Sequence, residues 1–102
     1  MRRGEVWWGL VHPKTRPFVL VSRDSHLGER ERVLAVPVVA RGRGLESEVP
    51  LGTEDGLPKP CAADAGAPVL IGKSQLIRRI AVLAPAKRAE IDAALRFALG
   101  LD

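Results

Sequence analysis

Residues 2–22 read Arg-Arg-Gly-Glu-Val-Trp-Trp-Gly-Leu-Val-His-Pro-Lys-Thr-Arg-Pro-Phe-Val-Leu-Val-Ser, and this stretch decides the fold. Its β-branched, aromatic and aliphatic runs at 5–11 and 18–22 predict two strands. Pro13 and Pro17 cannot donate to a hydrogen-bonded ladder, so the segment between the runs is expected to be a short rigid loop carrying Lys14, Thr15 and Arg16. Cationic donors on a rigid turn make a phosphate-handling surface, able to bind, to cut or to do both. Side chains alternate along a strand, so Trp7 and Trp8 point to opposite faces. At most one enters the core; the other is free to stack on a base or to cover a subunit interface.

Outward from this hairpin, residues 23–32 are polar, carry both charge signs and contain Gly28, which predicts a loop. Residues 33–39, Val-Leu-Ala-Val-Pro-Val-Val, form a continuous apolar run expected of a strand buried on both faces, with Pro37 requiring an edge or a bulge. Arg41 and Arg43 follow between glycines in a flexible basic loop, and a shorter strand is predicted over 47–51. Residues 52–60 are turn-rich and expected at the surface, and 61–70, full of small residues, read as weak strand. A single helical turn over 73–76 and a strand over 77–84 come next. Pro85 at a first helical position and Gly100 at a C-cap bound a helix over 85–99, whose stripe Ile91, Ala94, Leu95 and Ala98 must pack on the sheet. Short antiparallel strands ended by one helix indicate a mainly β fold, a small barrel-like sheet with the helix on its flank.

At 102 residues the chain fits one compact domain, 1–102, with no internal repeat or linker. A net charge of +4 and a pI near 10.0 favour a polyanionic partner, nucleic acid or an acidic protein. Cys61 stands alone, so no intrachain disulfide forms, and the first residues lead straight into a strand instead of a signal segment; a cytoplasmic protein is expected. No apolar run approaches the roughly 20 residues that span a bilayer, which sets membrane insertion aside. There is no metal-ligand cluster.

The opening Arg3-Gly4-Glu5-Val6-Trp7-Trp8, the Lys14-Thr15-Arg16-Pro17 turn and Val19-Leu20-Val21-Ser22 together resemble the MazF/PemK family of toxin endoribonucleases. Further blocks follow in family order: Arg43-Gly44-Leu45 with Ser47-Glu48-Val49, then Lys73-Ser74-Gln75-Leu76, then Leu83-Ala84-Pro85 with Ile91, Ala94 and Leu95. The resemblance implies an SH3-like barrel of antiparallel strands with one short and one terminal helix. It also implies a homodimer that cuts single-stranded RNA at short sequences without metal or cofactor, and a small antitoxin with an acidic tail. The family's catalytic Arg corresponds to Arg16. Its usual Thr after the third strand corresponds to Val39, and its Asp and Gln before the short helical turn correspond to Gly66 and Ala67. Those three residues support a second reading, a catalytically impaired relative that holds RNA, an antitoxin or another protein such as gyrase without cutting.

Metal-free RNA cleavage needs a base, an acid and charge stabilisation while the 2′-hydroxyl attacks the adjacent phosphate. Arg16 can supply the last through paired N–H donors. His12, expected to face Arg16 across the turn, is the candidate base, since an ordinary imidazole titrates near neutrality. Lys14, Thr15, Arg41, Arg43 and Ser47 complete the expected substrate-binding set, the cations as salt-sensitive phosphate contacts. Ser22 and Ser47 are hydroxyls that can equally satisfy backbone groups at a strand end. Cys61, with no Cys-His signature, reads as a small buried apolar residue.

Overall fold

The computed structural model describes residues 1–101. Strands β1 (Glu5–Val11) and β2 (Lys14–Leu20) form an antiparallel hairpin, followed by helix α1 (Asp24–Glu29) and strand β3 (Arg32–Val39). Then come β4 (Glu48–Leu51), a 3-10 turn at Thr53–Asp55, β5 (Cys61–Asp64) and β6 (Val69–Gly72). A second 3-10 turn (Lys73–Gln75), β7 (Leu76–Val82) and helix α2 (Pro85–Leu99) complete the chain. The strands pair in the order β4-β5-β3-β2-β1-β7, with β6 beside the first half of β3, so the curved sheet stays open between β4 and β7.

The hairpin is longer than its prolines imply. Val11 pairs with Lys14, Leu10 with Thr15, Gly9 with Arg16 and Trp8 with Pro17, leaving only His12 and Pro13 as the turn. Lys14, Thr15 and Arg16 therefore sit on strand β2, not in a loop, because a two-residue connection suffices to reverse the chain. Gly9 is required sterically: a Cβ there would lie 2.7 Å from Phe18 Cδ2 and 3.1 Å from Ile71 Cδ1. Both neighbours are buried and cannot retreat. Gly9→Ala is expected to cost about 1–3 kcal/mol, the usual range for overpacking, read as a lowered denaturant midpoint at constant slope.

Two apolar clusters flank the sheet, and alternation along β2 and β3 assigns residues to each. Val19, Val36 and Val38 join Val6, Val49, Leu51 and Leu83 beneath Ile91 and Ala94 of α2. On the other side Phe18, Leu20, Val33 and Ala35 pack with Leu27 of α1, Ile71 and Leu76. The apolar run 33–39 is thus buried on both faces except at Leu34, which lies opposite Leu70 in the open, and at the half-buried Val39 at its end. Pro37 finds the edge it requires in a local gap, not at the rim of the sheet. Away from β2, β6 pairs with Arg32–Ala35 and β5 with Val38 and Val39, so Pro37 falls in the changeover where no strand asks for its N–H.

Residues 23–32 are not all loop, since α1 occupies 24–29. One apolar side chain decides this: Leu27, 2% exposed, docks into the second cluster, and Asp24 Oδ1 accepts the Arg3 backbone N–H at 2.7 Å. The 61–70 stretch forms two strands, not one, because a turn at residues 65–68, with Ala67 N–H donating to Asp64 O, separates β5 from β6. Within 52–60 the Leu57 side chain is buried in the first cluster, anchoring a mostly exposed segment. On α2 the expected stripe buries Ile91 and Ala94 and half-buries Leu95, while Ala98 is exposed. Arg3 ties the first residues to α2 through an ion pair with Asp92 at 2.6 Å and to the end of β2 through Val21 O at 3.0 Å.

Candidate functional site

A cleft of about 400 Å³ opens where the hairpin, the end of β3 and the segment before β5 converge. Trp8, half-buried on β1, forms part of its wall beside Pro17, its cross-strand partner. Lys14, Thr15 and Arg16 enter from β2, Val39 and Ala40 from the end of β3, and Lys59 and Cys61 from the approach to β5. Arg16 lies opposite Gly9, so no cross-strand side chain competes for its guanidinium.

The cleft is electropositive. Among the described residues the ion pairs are Arg3–Asp92, Arg79–Glu5 and Lys87–Glu90, so Lys14, Arg16 and Lys59 have no carboxylate partner. No carboxylate and no imidazole lines the cleft. Three unpaired cations around a concave surface focus a field that attracts an anion, and an Arg offers a phosphate two parallel N–H donors.

The structure gathers some of the predicted site and disperses the rest. Lys14, Thr15, Arg16 and Val39 share the cleft. His12 does not face Arg16. It is exposed in the turn, two paired rungs of the hairpin lie between it and the Gly9–Arg16 rung, and it lines no part of the cleft. Arg41, Arg43 and Ser47 also lie outside, since the basic loop is folded back toward β4. Glu48 does this: its Oε1 accepts the backbone N–H of Arg43 at 2.7 Å and of Leu45 at 3.1 Å. The N–H groups of Leu45 and Arg43 hold the Glu48 carboxyl below its ordinary range. Gly66 and Ala67 are exposed in the β5–β6 turn. Ser22 is buried, its hydroxyl accepting the Leu34 N–H at 2.7 Å, a backbone-satisfying role.

One contributor escaped the sequence reading, and one choice it left open is decided. Lys59 reaches the cleft because Leu57 pins its segment to the core and Pro58 and Pro60 stiffen it. A Lys between two prolines echoes the Pro13-Lys14 to Pro17 spacing of the hairpin, the one signal that pointed to it. Trp8 is the indole at the cleft, whereas Trp7 packs against the second core cluster and donates Nε1–H to Glu5 Oε1 at 2.9 Å. Each Trp is half-buried, which fits their placement on opposite faces.

Burial raises the Glu5 carboxyl, but hydrogen bonds from Trp7 and the Arg2 backbone, with Arg79 beside it, outweigh that and hold it below 4.5. A carboxyl depressed in the folded state stabilises above its unfolded value and loses that contribution as pH falls through the folded one. Acid is therefore expected to weaken the fold below about pH 4.5 partly through Glu5. Glu5→Gln should flatten this limb in denaturant unfolding followed from neutral to acid pH. Burial, with Asp55 nearby, pushes the Cys61 thiol up, so it stays protonated and is no nucleophile.

Comparison with known proteins bears directly on this geometry. The model of the PemK-like, MazF-like toxins of type II toxin-antitoxin systems matches residues 2–99. The chain is 33% identical over 99 residues to the probable endoribonuclease MazF5 of Mycobacterium tuberculosis, covering 95% of this chain and 91% of that protein. It is 31% identical to the probable endoribonuclease MazF2 of the same species, over 98% of this chain and 99% of the relative. Among solved structures, a mycobacterial endoribonuclease in complex with its cognate antitoxin superposes with a TM-score of 0.92 at 26% identity, over 100% of this chain and 97% of that one. With its open antiparallel sheet, terminal helix and cationic cleft, the chain belongs to the PemK-like, MazF-like toxins of type II toxin-antitoxin systems.

Proposed function

We propose that the protein is an endoribonuclease that cuts single-stranded RNA in this cleft by metal-independent transesterification at short preferred sequences. The 2′-oxygen forms a new bond to phosphorus, the bond from phosphorus to the 5′-oxygen breaks, and the products are a cyclic phosphate and a 5′-hydroxyl. The observation that carries this reading is the set of unpaired cations Lys14, Arg16 and Lys59 around one concave surface. Arg16 acts as the charge-stabilising catalytic residue, because the transition state gathers charge on the phosphoryl oxygens and a preoriented donor fork meets it there. Lys14 and Lys59 hold flanking phosphate, and Thr15 offers a hydroxyl to the same group. Water receives the proton from the 2′-hydroxyl and supplies one to the leaving oxygen, since no lining carboxylate or imidazole is present to do so. That relatives 31% and 33% identical to this chain are named probable endoribonucleases supports the reading.

The acting species in this proposal is a homodimer in the cytoplasm, neutralised by an antitoxin whose acidic tail competes for the same cations. The end of α2 exposes Phe97 and Leu99, an apolar surface that a second copy would cover. A second reading, binding without cutting, is favoured by Val39, whose side chain brings no hydroxyl to the cleft. Incubation of the protein with long single-stranded RNA in excess chelator separates the two. Fragmentation at recurring short sequences supports the nuclease, and intact RNA in the presence of measurable binding supports the second reading.

A further inference from the structure

We infer that the groove continues past the cleft into a second subsite, where Arg78 and Arg79 take a phosphate of the same RNA strand. The inference rests on the RNA-cutting reading and adds a site beyond the one proposed for the chemistry. A pocket of about 310 Å³ is lined by Trp8, Gly56, Pro58, Arg78, Arg79 and Ile80. Trp8 and Pro58 line the first cleft too, so the two hollows meet along one indole and one proline ring.

Side chains alternate along a regular strand, so Arg78 starts on the face of Trp8, its cross-strand partner, and Arg79 on the face of Trp7. Here the β1–β7 pairing shifts register: Val6 faces Ala81 but Trp7 faces Arg79, which leaves Ile80 without a partner. A bulge of this kind bends the strand locally, and Arg78, Arg79 and Ile80 each contribute to the lining of the hollow. Gly56 closes the far side. Its φ of 92° is open to glycine, and a Cβ there would lie 2.9 Å from Ala81 Cβ, so the 3-10 turn can approach β7 only without a side chain.

The two arginines are held differently. Arg79 Nη1 lies 3.4 Å from Oε2 of the buried Glu5, which fixes the guanidinium from behind while 56% of the side chain stays exposed. Arg78 is exposed and takes part in none of the ion pairs among the described residues. Cations thus flank Trp8 on both sides, Lys14, Arg16 and Lys59 on one and Arg78, its cross-strand partner, on the other, while the Arg79 guanidinium is drawn to Glu5 on the face of Trp7. Single-stranded RNA repeats one charge per nucleotide with a base between, so a phosphate in each hollow leaves a base over the indole, a sequence-tolerant stacking platform. An acidic peptide could pair with the arginines but has no use for the ring.

The test uses a nonanucleotide of mixed sequence carrying 2′-O-methyl groups, which cannot be cut, so binding is read whether or not the wild type is a nuclease. Arg78→Ala, and Arg78→Ala combined with Arg79→Ala, are compared with wild type by affinity at several salt concentrations, with melting curves alongside. Weakening by about tenfold in the double variant, with the salt slope reduced by about 0.7 per lost phosphate contact, supports the subsite. On cleavable RNA the same loss should appear as a raised KM at near-constant kcat, because the subsite grips ground and transition states alike. Arg78→Ala, at an exposed and unpaired position, keeps the test valid if the double variant melts early. Unchanged RNA affinity and slope would overturn the inference, as would a loss confined to an oligoglutamate peptide, which would give the pocket to carboxylates. Failure of the cutting reading looks different: wild-type protein then leaves cleavable RNA whole in every assay.

Discussion

Replacing Arg16 by Ala is expected to lower RNA cleavage by about 10²–10³-fold, the usual consequence of removing one donor aimed at developing charge. Stability should change little, within about 0.5 kcal/mol, because Arg16 is part-exposed, lies opposite a glycine and makes no ion pair among the described residues. The backbone pairing of Gly9 with Arg16 survives the substitution, so the strand keeps its register. His12→Ala serves as the contrast. An exposed turn residue outside the cleft should leave cleavage near the wild-type rate, and single-turnover rates of the two variants under chelation check both statements. A fall in His12→Ala comparable to that in Arg16→Ala would show that a base reaches the cleft from the turn.

Val39→Thr is expected to act in the opposite direction and raise cleavage by about tenfold or more, toward the lower end of what a positioned proton-transfer group contributes. The motive is position: Val39 lines the same cleft as Arg16 and stands where the family resemblance places a threonine. Size is nearly conserved, but the added hydroxyl must find a partner. Val39 is half-buried and borders the open cleft, so water or substrate can supply one. A modest loss of stability with a gain in rate is therefore the expected pair of outcomes, read from melting curves and rates on the same preparation. A gain in rate would also identify the present chain as a slowed nuclease and not a binder.

Much of this architecture was legible in the chain, for physical reasons that differ from element to element. Strand β1 and helix α2 match their predicted bounds because Glu5–Val11 carries a strong β-forming run and Pro85 and Gly100 punctuate the helix. The two prolines of the hairpin misled: proline forbids a donor, not a strand, and Pro17 sits within β2 opposite Trp8. Helix α1 was invisible because its six residues are polar apart from Leu27, whose burial is a tertiary contact that no local pattern announces. At the site, Arg16 and Lys14 could be found from their setting in the turn-like Lys-Thr-Arg-Pro block. Lys59 offers only its place between two prolines, and neither it nor the Arg78–Arg79 pair can be placed without a distant partner: Leu57 seated in the core for the first, and the β1–β7 bulge with Glu5 for the second. Conversely Arg41 and Arg43 look like groove residues in sequence, and only the Glu48 carboxylate, gathering the loop's N–H groups, shows why they are drawn away.

The most direct test of the central claim is the chemistry of the cut ends. Long single-stranded RNA is incubated with the wild-type protein in excess chelator, and the fragments are analysed for their terminal groups. Attack by the neighbouring 2′-hydroxyl, stabilised by Arg16, predicts 5′-hydroxyl ends that a kinase labels without prior phosphatase, matched by cyclic phosphates on the upstream fragments. Fragments with 5′-phosphates, or RNA that survives intact while bound, would contradict the account.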